Sequence, residues 1–247
     1  MRIALLGYGK MGKEVERAAI DRGHQVVGTY DVGDVLTAVS LEASGAQVAI
    51  DFTQPSALLD NVKVVAEAHL PLVIGTTGWD EQWSKIETLV VSAKIGCVFA
   101  SNFSIGVNLF LEIVRNAAHL LDAADYDAYI IESHHRMKKD FPSGTALTIA
   151  KTMIAQMHSK SHIQSELLQG QPVDRAALVV SSIRAGSITG THTVGFETED
   201  DSIELTHRAN SRKGFASGAV RAAEWIINRQ GFYRFEESIA EILGMNQ

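Results

Sequence analysis

Residues 132–146 carry most of the chemistry that this sequence offers, and they read ESHHRMKKDFPSGTA. The adjacent His134 and His135 titrate near neutral pH, so either can donate or accept a proton. Three cations follow closely, and these are Arg136, Lys138 and Lys139. A single histidine or a lysine pair is usually structural. Their combination in one short segment instead favours a catalytic site for an acidic substrate.

The end of this segment predicts the start of a helix that binds an anion. Pro142 suits the first helical position. The next three residues would leave backbone N–H groups without helical partners, and they are Ser143, Gly144 and Thr145. A carboxylate or phosphate binds well at such a helix end. A strand-like run at residues 128–131 precedes the segment and a helix-like run at residues 146–157 follows it, an arrangement common around sites.

A glycine-rich loop near the N-terminus predicts a dinucleotide site. An apolar run at residues 2–6 indicates a strand, and a helical pattern begins after the loop. The second strand-like run, residues 25–30, ends at Asp31, 24 positions after Gly7, where a carboxylate can bind ribose hydroxyls. This context favours a dinucleotide site over a merely tight turn. The loop consists of Gly7, Tyr8, Gly9, Lys10, Met11 and Gly12.

Three further strand-like runs, at residues 46–52, 72–74 and 96–100, each end in a small polar loop. In an open α/β sheet, the loops at the carboxyl ends of the strands line the ligand crevice. We therefore expect more cofactor contacts from these loops. The residues concerned are Phe52, Thr53, Gly75, Thr76, Thr77, Ala100, Ser101, Asn102 and Phe103.

The order of these elements predicts two domains. Alternating strands and helices indicate an α/β, Rossmann-type parallel sheet in a dinucleotide-binding domain of residues 1–105 and 215–247. Residues 106–214 change pattern and predict a smaller α+β domain, with residues 197–201 turning a β-hairpin. The segment 159–174 is expected to be a mobile loop. Two helices, at residues 219–227 and 236–243, return to the first domain.

Composition narrows the class of protein. The chain has 247 residues, of which 46% are hydrophobic and 21% charged, values ordinary for a globular protein. Its net charge of -7 argues against a nucleic-acid or anionic-membrane partner. The lone Cys97 cannot form an intramolecular disulfide and lies in an apolar run, which predicts a buried strand position. Since no apolar stretch reaches the roughly 18 residues of a membrane span, we expect a cytoplasmic protein.

Together these motifs resemble the 4-hydroxy-tetrahydrodipicolinate reductase family, also called dihydrodipicolinate reductase, of diaminopimelate and lysine biosynthesis. The family pattern is a His-His pair, a lysine three residues later and Asp-x-Pro-Ser-Gly-Thr-Ala. It is matched here by His134, His135, Lys138 and residues 140–146. The resemblance covers essentially the whole chain. Similar segments lie at residues 51–53, 75–78, 102–108 and 207–212.

The resemblance implies a reaction and a role for each matching residue. His134 is expected to be the catalytic acid/base, and Lys138 a catalytic proton donor that also steadies the substrate. The expected holders of the substrate carboxylates are His135, Lys138, Ser143, Gly144 and Thr145. Hydride from NADH or NADPH reduces a cyclic conjugated imine, and an acid supplies the proton and assists loss of water. The resemblance further implies a homotetramer, with residues 106–214 binding substrate and mediating assembly, and no metal.

Cofactor preference depends on opposing features. Asp31 favours the ribose hydroxyls of NADH and repels the 2′-phosphate of NADPH, and neither Val32 nor Gly33 supplies a cation. Lys10 lies in the glycine loop, where family members use a basic residue to accept both cofactors. We therefore expect use of both, with NADH preferred about tenfold.

Two other functions fit part of the sequence. One is a different two-domain NAD(P)-dependent oxidoreductase, acting on an amino-acid semialdehyde or on aspartate. It explains the glycine loop and Asp31 but not the combination of residues 132–146. The other is a non-catalytic protein that senses NAD(P) through the first domain. Turnover of the dipicolinate precursor separates these alternatives.

Overall fold

The computed structural model describes residues 1–245, which divide into two compact units. The first unit comprises Met1–Ile105 and the described chain from Arg212 onward, and the second comprises Gly106–Ser211. Within the described chain, no helix has the length and apolar character needed to cross a bilayer.

Strands and helices are numbered in chain order over the described residues. The strands are β1 Arg2–Leu6, β2 Gln25–Tyr30, β3 Val48–Asp51, β4 Leu72–Ile74, β5 Gly96–Phe99, β6 Asp127–His134, β7 His162–Gln164, β8 Ala177–Arg184, β9 Thr191–Glu197, β10 Ser202–Arg208 and β11 Gly231–Arg234. The helices are α1 Lys10–Asp21, α2 Ala38–Ser44, α3 Pro55–Glu67, α4 Trp83–Ser92, α5 Ile105–Asp122, α6 Gly144–Ile154, α7 Lys213–Ile226 and α8 Phe235–Ile242.

The first unit contains a parallel six-stranded sheet in the order β11-β5-β4-β3-β1-β2. Its central strands β3, β4 and β5 are buried along their whole length, as expected when helices cover both faces. One apolar core joins the sheet to α1, α7 and α8, and a second joins its other face to α2, α3 and α4. The predicted Rossmann-type fold class is thus confirmed. The prediction that Cys97 is buried in a strand is also confirmed.

The second unit contains a mixed five-stranded sheet in the order β10-β9-β6-β8-β7. The central strand β6 runs parallel to β8 and antiparallel to β9, and the predicted hairpin of β9 and β10 is confirmed. Helices α5 and α6 pack on one face around Phe110, Val114 and Ile149. In β6 every second residue is buried, so Glu132 and His134 continue the row of Ala128 and Ile130 on one face.

Two local predictions are wrong, and one strand was not predicted. Pro142 is not the first residue of a helix: α6 begins at Gly144, Ser143 caps it, and the Phe141–Pro142 peptide is cis. The segment 159–174 is not wholly a loop, because its residues His162–Gln164 form β7 against β8. The edge strand β11 was not predicted, since its four residues carry no alternating apolar pattern that distinguishes them from a loop.

Candidate active site

Two buried polar residues of β6, Glu132 and His134, form the centre of the site in the second unit. Glu132 is fully buried, and 8% of the surface of His134 is exposed to solvent. The His134 Nδ1 atom is hydrogen-bonded to Glu132 Oε2. A Cβ at Gly190 would lie 3.1 Å from His134 Nε2, so the absence of a side chain there avoids a tight contact with that nitrogen. The strand therefore carries a carboxylate–imidazole pair. Because Nδ1 is bonded to Glu132, Nε2 is the ring nitrogen that is left to exchange a proton with a substrate.

The other carboxylate oxygen of Glu132 binds two donors. Arg184 Nη2 lies 2.6 Å from Glu132 Oε1, and the Ser143 backbone N–H donates to the same oxygen at 3.3 Å. Arg184 ends β8, where it lies beside His134 in the register of the parallel pair. Arg184 Nη2 also donates to the carbonyl oxygen of Asp140 at 2.6 Å. The guanidinium therefore fixes Glu132 and the loop that follows β6.

Burial and charge act in opposite directions on this pair. Burial alone raises the pKa of Glu132, but its interactions with Arg184, Ser182 and His134 outweigh burial, and the pKa lies below its usual value. Burial lowers the pKa of His134, and the nearby cations Lys138 and Arg184 act in the same direction against the raising effect of Glu132. At pH 7 the pair is therefore a carboxylate and a predominantly neutral imidazole.

A second buried histidine, His192, packs beside this pair. It lies on β9 opposite Glu132, and its ring centre is 5.2 Å from that of His134. Its Nε2 atom is 3.2 Å from Ser143 Oγ, while its Nδ1 atom has no hydrogen-bond partner within the described chain. Burial, and then the charge of His134, lower the pKa of His192 to about 4.

Glu132, His134 and His192 also have potential metal-ligand atoms within 4.8 Å of one another. Arg184 already neutralises Glu132 at 2.6 Å and would repel a cation at that position. The donor set is therefore better explained as a hydrogen-bonded network than as a metal centre.

The loop after β6 carries the predicted cations on its surface. Lys138 Nζ lies 2.9 Å from Asp140 Oδ1, and this contact lowers the pKa of the Asp140 carboxyl. The Lys138 backbone N–H donates to the His135 carbonyl at 3.1 Å, which closes a turn. His135 is half-buried, whereas Arg136 is exposed. A substrate carboxylate that binds Lys138 would therefore compete with Asp140.

At the start of α6, Ser143 is occupied by structural contacts. Its hydroxyl accepts a hydrogen bond from the Ala146 N–H at 3.2 Å, and its own N–H points to Glu132. The prediction that the Ser143 N–H is available to an anion is therefore wrong. Gly144 is exposed and Thr145 half-buried on the first turn of the helix, the position expected for an anion-binding pair.

Five of the predicted dinucleotide residues of the first unit line a cavity of about 460 Å³ at the carboxyl ends of β1, β2 and β3. Its wall includes Gly7, Gly9, Asp31, Asp34, Phe52 and Thr53. Asp34 was missed by the sequence reasoning, although its spacing of three residues from Asp31 is typical of a turn. Its Oδ2 atom accepts the Asp31 N–H at 2.7 Å, so two carboxylates lie at this end of the cavity.

The glycine loop fits a dinucleotide. Gly7 has φ +86°, and a Cβ there would lie 2.4 Å from the Phe52 carbonyl oxygen. A Cβ at Gly12 would lie 2.2 Å from the Gly7 oxygen, so these two glycines allow close packing of α1 on the strand ends. At Gly9, the N-cap of α1, a Cβ would meet no described atom within 4 Å, and no side chain caps the helix. That helix start can accept a pyrophosphate.

Asp51, at the end of β3, connects two of the predicted cofactor loops. This buried carboxylate accepts hydrogen bonds from the hydroxyls of Thr53 and Thr76, each at 2.7 Å, and from Asn61 at 2.8 Å. Thr53 and Thr76 therefore use their hydroxyls to hold their own loops. The proton of the Thr76 hydroxyl is therefore not available to a cofactor.

The other predicted cofactor residues lie at the start of α1 or in the loops after β4 and β5. Gly75 makes room for a ring, since a Cβ there would lie 2.2 Å from Phe52. Phe103 is buried and packs against Phe235 with ring centres 4.8 Å apart, so its side chain belongs to the core. The remaining residues are Tyr8, Lys10, Met11, Thr77, Ala100, Ser101 and Asn102. Tyr8 donates to Glu16, and Asn102 Oδ1 accepts the Ser104 N–H at 2.9 Å.

Comparison with known proteins identifies one family over both units. Residues 1–103 match the family described as dihydrodipicolinate reductase, N-terminus, and residues 106–239 match dihydrodipicolinate reductase, C-terminus. A 4-hydroxy-tetrahydrodipicolinate reductase of Christiangramia forsetii is 37% identical over 246 residues, which cover 98% of this chain and 99% of that protein. One from Archaeoglobus fulgidus is 38% identical over 259 residues, which cover 96% and 99%.

A solved structure is similar as well. The dipicolinate-bound dihydrodipicolinate reductase from Paenisporosarcina sp. TG-14 aligns with a TM-score of 0.78 and 25% identity, over 96% of this chain and 98% of that one. Sequence and fold thus agree over nearly the full length of both chains. The chain therefore belongs to the dihydrodipicolinate reductase family.

Proposed function

We propose that this protein reduces 4-hydroxy-tetrahydrodipicolinate to tetrahydrodipicolinate, with loss of water, using NADH or NADPH in the diaminopimelate route to lysine. Its family is one of NAD(P)H-dependent oxidoreductases. The observation that carries the proposal is the buried Glu132–His134 pair at the end of β6, followed by Lys138 and the start of α6. In this proposal His134 is the acid/base group, Lys138 the cation and the start of α6 the anion-binding element, all within the second unit.

The residues of the second unit would bind the substrate and supply its protons. His134 is the proposed acid/base group, acting through Nε2 because Nδ1 is engaged by Glu132. Lys138 is the proposed second proton donor. Its ammonium group would leave its ion pair with Asp140 and pair with a substrate carboxylate. Gly144 and Thr145 would hold a carboxylate at the start of α6, and His135 is proposed as a further carboxylate-binding residue. Ser143 contributes by capping α6 and holding Glu132.

The residues of the first unit would hold the cofactor, which supplies the hydride when bound. The uncapped start of α1 at Gly9 suits the pyrophosphate, and Asp31 suits the ribose hydroxyls. Lys10 is exposed on the first turn of α1, where a flexible ammonium favours the 2′-phosphate of NADPH. Use of both cofactors with a modest preference for NADH follows from these opposing charges.

The test is an assay of the reduction of 4-hydroxy-tetrahydrodipicolinate. This substrate is generated in situ from pyruvate and aspartate semialdehyde, and its reduction is monitored by the oxidation of NADH. We expect turnover by the parent protein. His134→Ala should lower turnover by about 10²–10⁴-fold, the usual contribution of a positioned acid/base group, with NADH affinity nearly unchanged. The matched control is His158→Ala, which removes an exposed histidine of the same unit. A loss confined to NADH binding in His134→Ala would contradict the assignment.

The same assay excludes the alternatives. Turnover only of an amino-acid semialdehyde or of aspartate would indicate a different two-domain oxidoreductase. Tight NADH binding without turnover of any of these compounds would indicate a sensing protein. Family membership favours the reductase over both.

We also propose the division of labour between domains and the assembly state. Residues 1–105 and 215–247 would bind the dinucleotide, and residues 106–214 would bind the dicarboxylate substrate and mediate assembly as a homotetramer. Light scattering coupled to size exclusion measures the mass in solution. A monomer of 26.8 kDa would contradict the assembly proposal and leave the reaction unaffected.

A further inference from the structure

Glu132 is a buried carboxylate without a proton-transfer role in the proposed reaction. A buried charge is costly unless it is paired and hydrogen-bonded. In this protein the cost is offset by Arg184 at 2.6 Å from Oε1 and by the Ser143 N–H at 3.3 Å from the same oxygen. Both of these donors bind Oε1, and Oε2 is hydrogen-bonded to His134.

This arrangement selects one form of the imidazole. Because Glu132 is ionised and accepts only, the hydrogen bond requires a proton on His134 Nδ1. The neutral ring then carries its lone pair on Nε2. The Nε2 atom lies beside Gly190, and the lack of a Cβ at this glycine avoids a close contact with it.

We infer that Glu132, held by Arg184, is a positioning residue that fixes the Nδ1–H form and the orientation of His134 and stabilises its protonated form. The inference rests on the proposed acid/base function of His134. Glu132 itself neither contacts the substrate nor exchanges a proton with it. Carboxylates that orient a histidine by binding its second nitrogen act in this way in other enzymes.

Of the groups around His134, Glu132 is the one that favours protonation of the imidazole. The charged and titratable groups acting on His134 are Glu132 on β6, Arg184 on β8, His192 on β9 and Lys138 in the loop after β6. Among these described groups Glu132 is the only carboxylate. Without its charge, burial and the cations would act on His134 unopposed, so its proton would be lost at lower pH.

The variant Glu132→Gln tests this role because it keeps the shape and removes the charge. We expect kcat/KM for 4-hydroxy-tetrahydrodipicolinate to fall about 10- to 100-fold, as when the hydrogen-bond partner of a metal-bound histidine is removed in other proteins. Activity that requires protonated His134 declines as pH rises through its pKa. In the variant this decline should move to lower pH by about one unit. The matched control is Glu204→Gln, which removes an exposed carboxylate of the same sheet.

An unchanged pH profile in Glu132→Gln, with only lower activity or lower thermal stability, would overturn the inference, because a merely structural role would not move the profile. If the variant does not fold, nitrogen-15 NMR of the histidines in the parent protein at about pH 8 decides. His134 is assigned by comparison with His134→Gln. The inference predicts the Nδ1–H form, and the Nε2–H form would refute it. Failure of the proposed function is distinct, since the parent would then not reduce the precursor.

Discussion

Acid sensitivity of folding is a direct consequence of the buried His192. Its pKa is about 4 in the folded protein, against 6.5 for an ordinary histidine. Between these two pH values the unfolded chain binds a proton that the folded chain does not, so the free energy of unfolding rises with pH through this window. The stabilisation is fully present above about pH 6.5 and is lost as pH falls toward about 4.

The size of the effect follows from the same two pKa values. Proton linkage gives a loss of about 2 kcal/mol at about pH 5 relative to about pH 7.5. Urea unfolding followed by circular dichroism at these two pH values, at one protein concentration, measures the loss. The variant His192→Gln removes the titration, and its amide can still reach Ser143, which the histidine contacts through Nε2.

The expected result is a pH-induced loss of stability that is about 2 kcal/mol smaller in His192→Gln than in the parent protein. The matched control is His158→Gln, which removes an exposed histidine and should leave the pH dependence unchanged. If the free energy of unfolding depended on pH equally in the parent protein and in His192→Gln, the reasoning would be refuted. Such a result would mean that folding does not lower the pKa of His192.

Three further predictions concern ligands. Lys138→Ala should reduce both turnover and substrate affinity, each by about 10- to 100-fold, because a charge-assisted bond contributes roughly 1.5–3 kcal/mol; near-normal steady-state kinetics would show that the loop is misassigned. Thr145→Val should weaken the substrate and a planar dicarboxylate inhibitor but spare NADH in equilibrium titrations, whereas equal weakening of both ligands would indicate collapse of the loop. Lys10→Ala should depress kcat/KM with NADPH selectively, and the parent should prefer NADH about tenfold. A parent enzyme that strongly prefers NADPH would contradict the role given to Asp31.

The predictions that succeeded concern features encoded within short stretches of chain. The strands at residues 2–6, 25–30 and 72–74 have the predicted bounds, because each is an apolar run that ends at glycine, an acidic residue or a small polar loop. The glycine loop was also predicted from a local pattern. In the structure, close packing at Gly7 and Gly12 leaves no space for a side chain. Local patterns of this kind are visible without knowledge of distant residues.

The predictions that failed required knowledge of contacts. Ser143 was expected to offer its N–H to an anion, but its N–H donates to Glu132 and its hydroxyl caps α6. Likewise, β7 forms within a polar segment because β8 offers it an unpaired edge. Asp51 became the common acceptor for Thr53 and Thr76 only because β3 and β4 are neighbours in the sheet.

The sequence by itself determined the family and identified the histidine–lysine segment, because both depend on motifs of contiguous residues. The tertiary structure decided how His134 is held. Arg184 and His192 lie far along the chain from His134, and no local spacing marks them as its neighbours. The register of β6 with β8 and β9 brings them to its sides. Pairing of distant strands is cooperative and depends on the whole sheet, so the environment that sets the pKa of a buried histidine is a property of the fold.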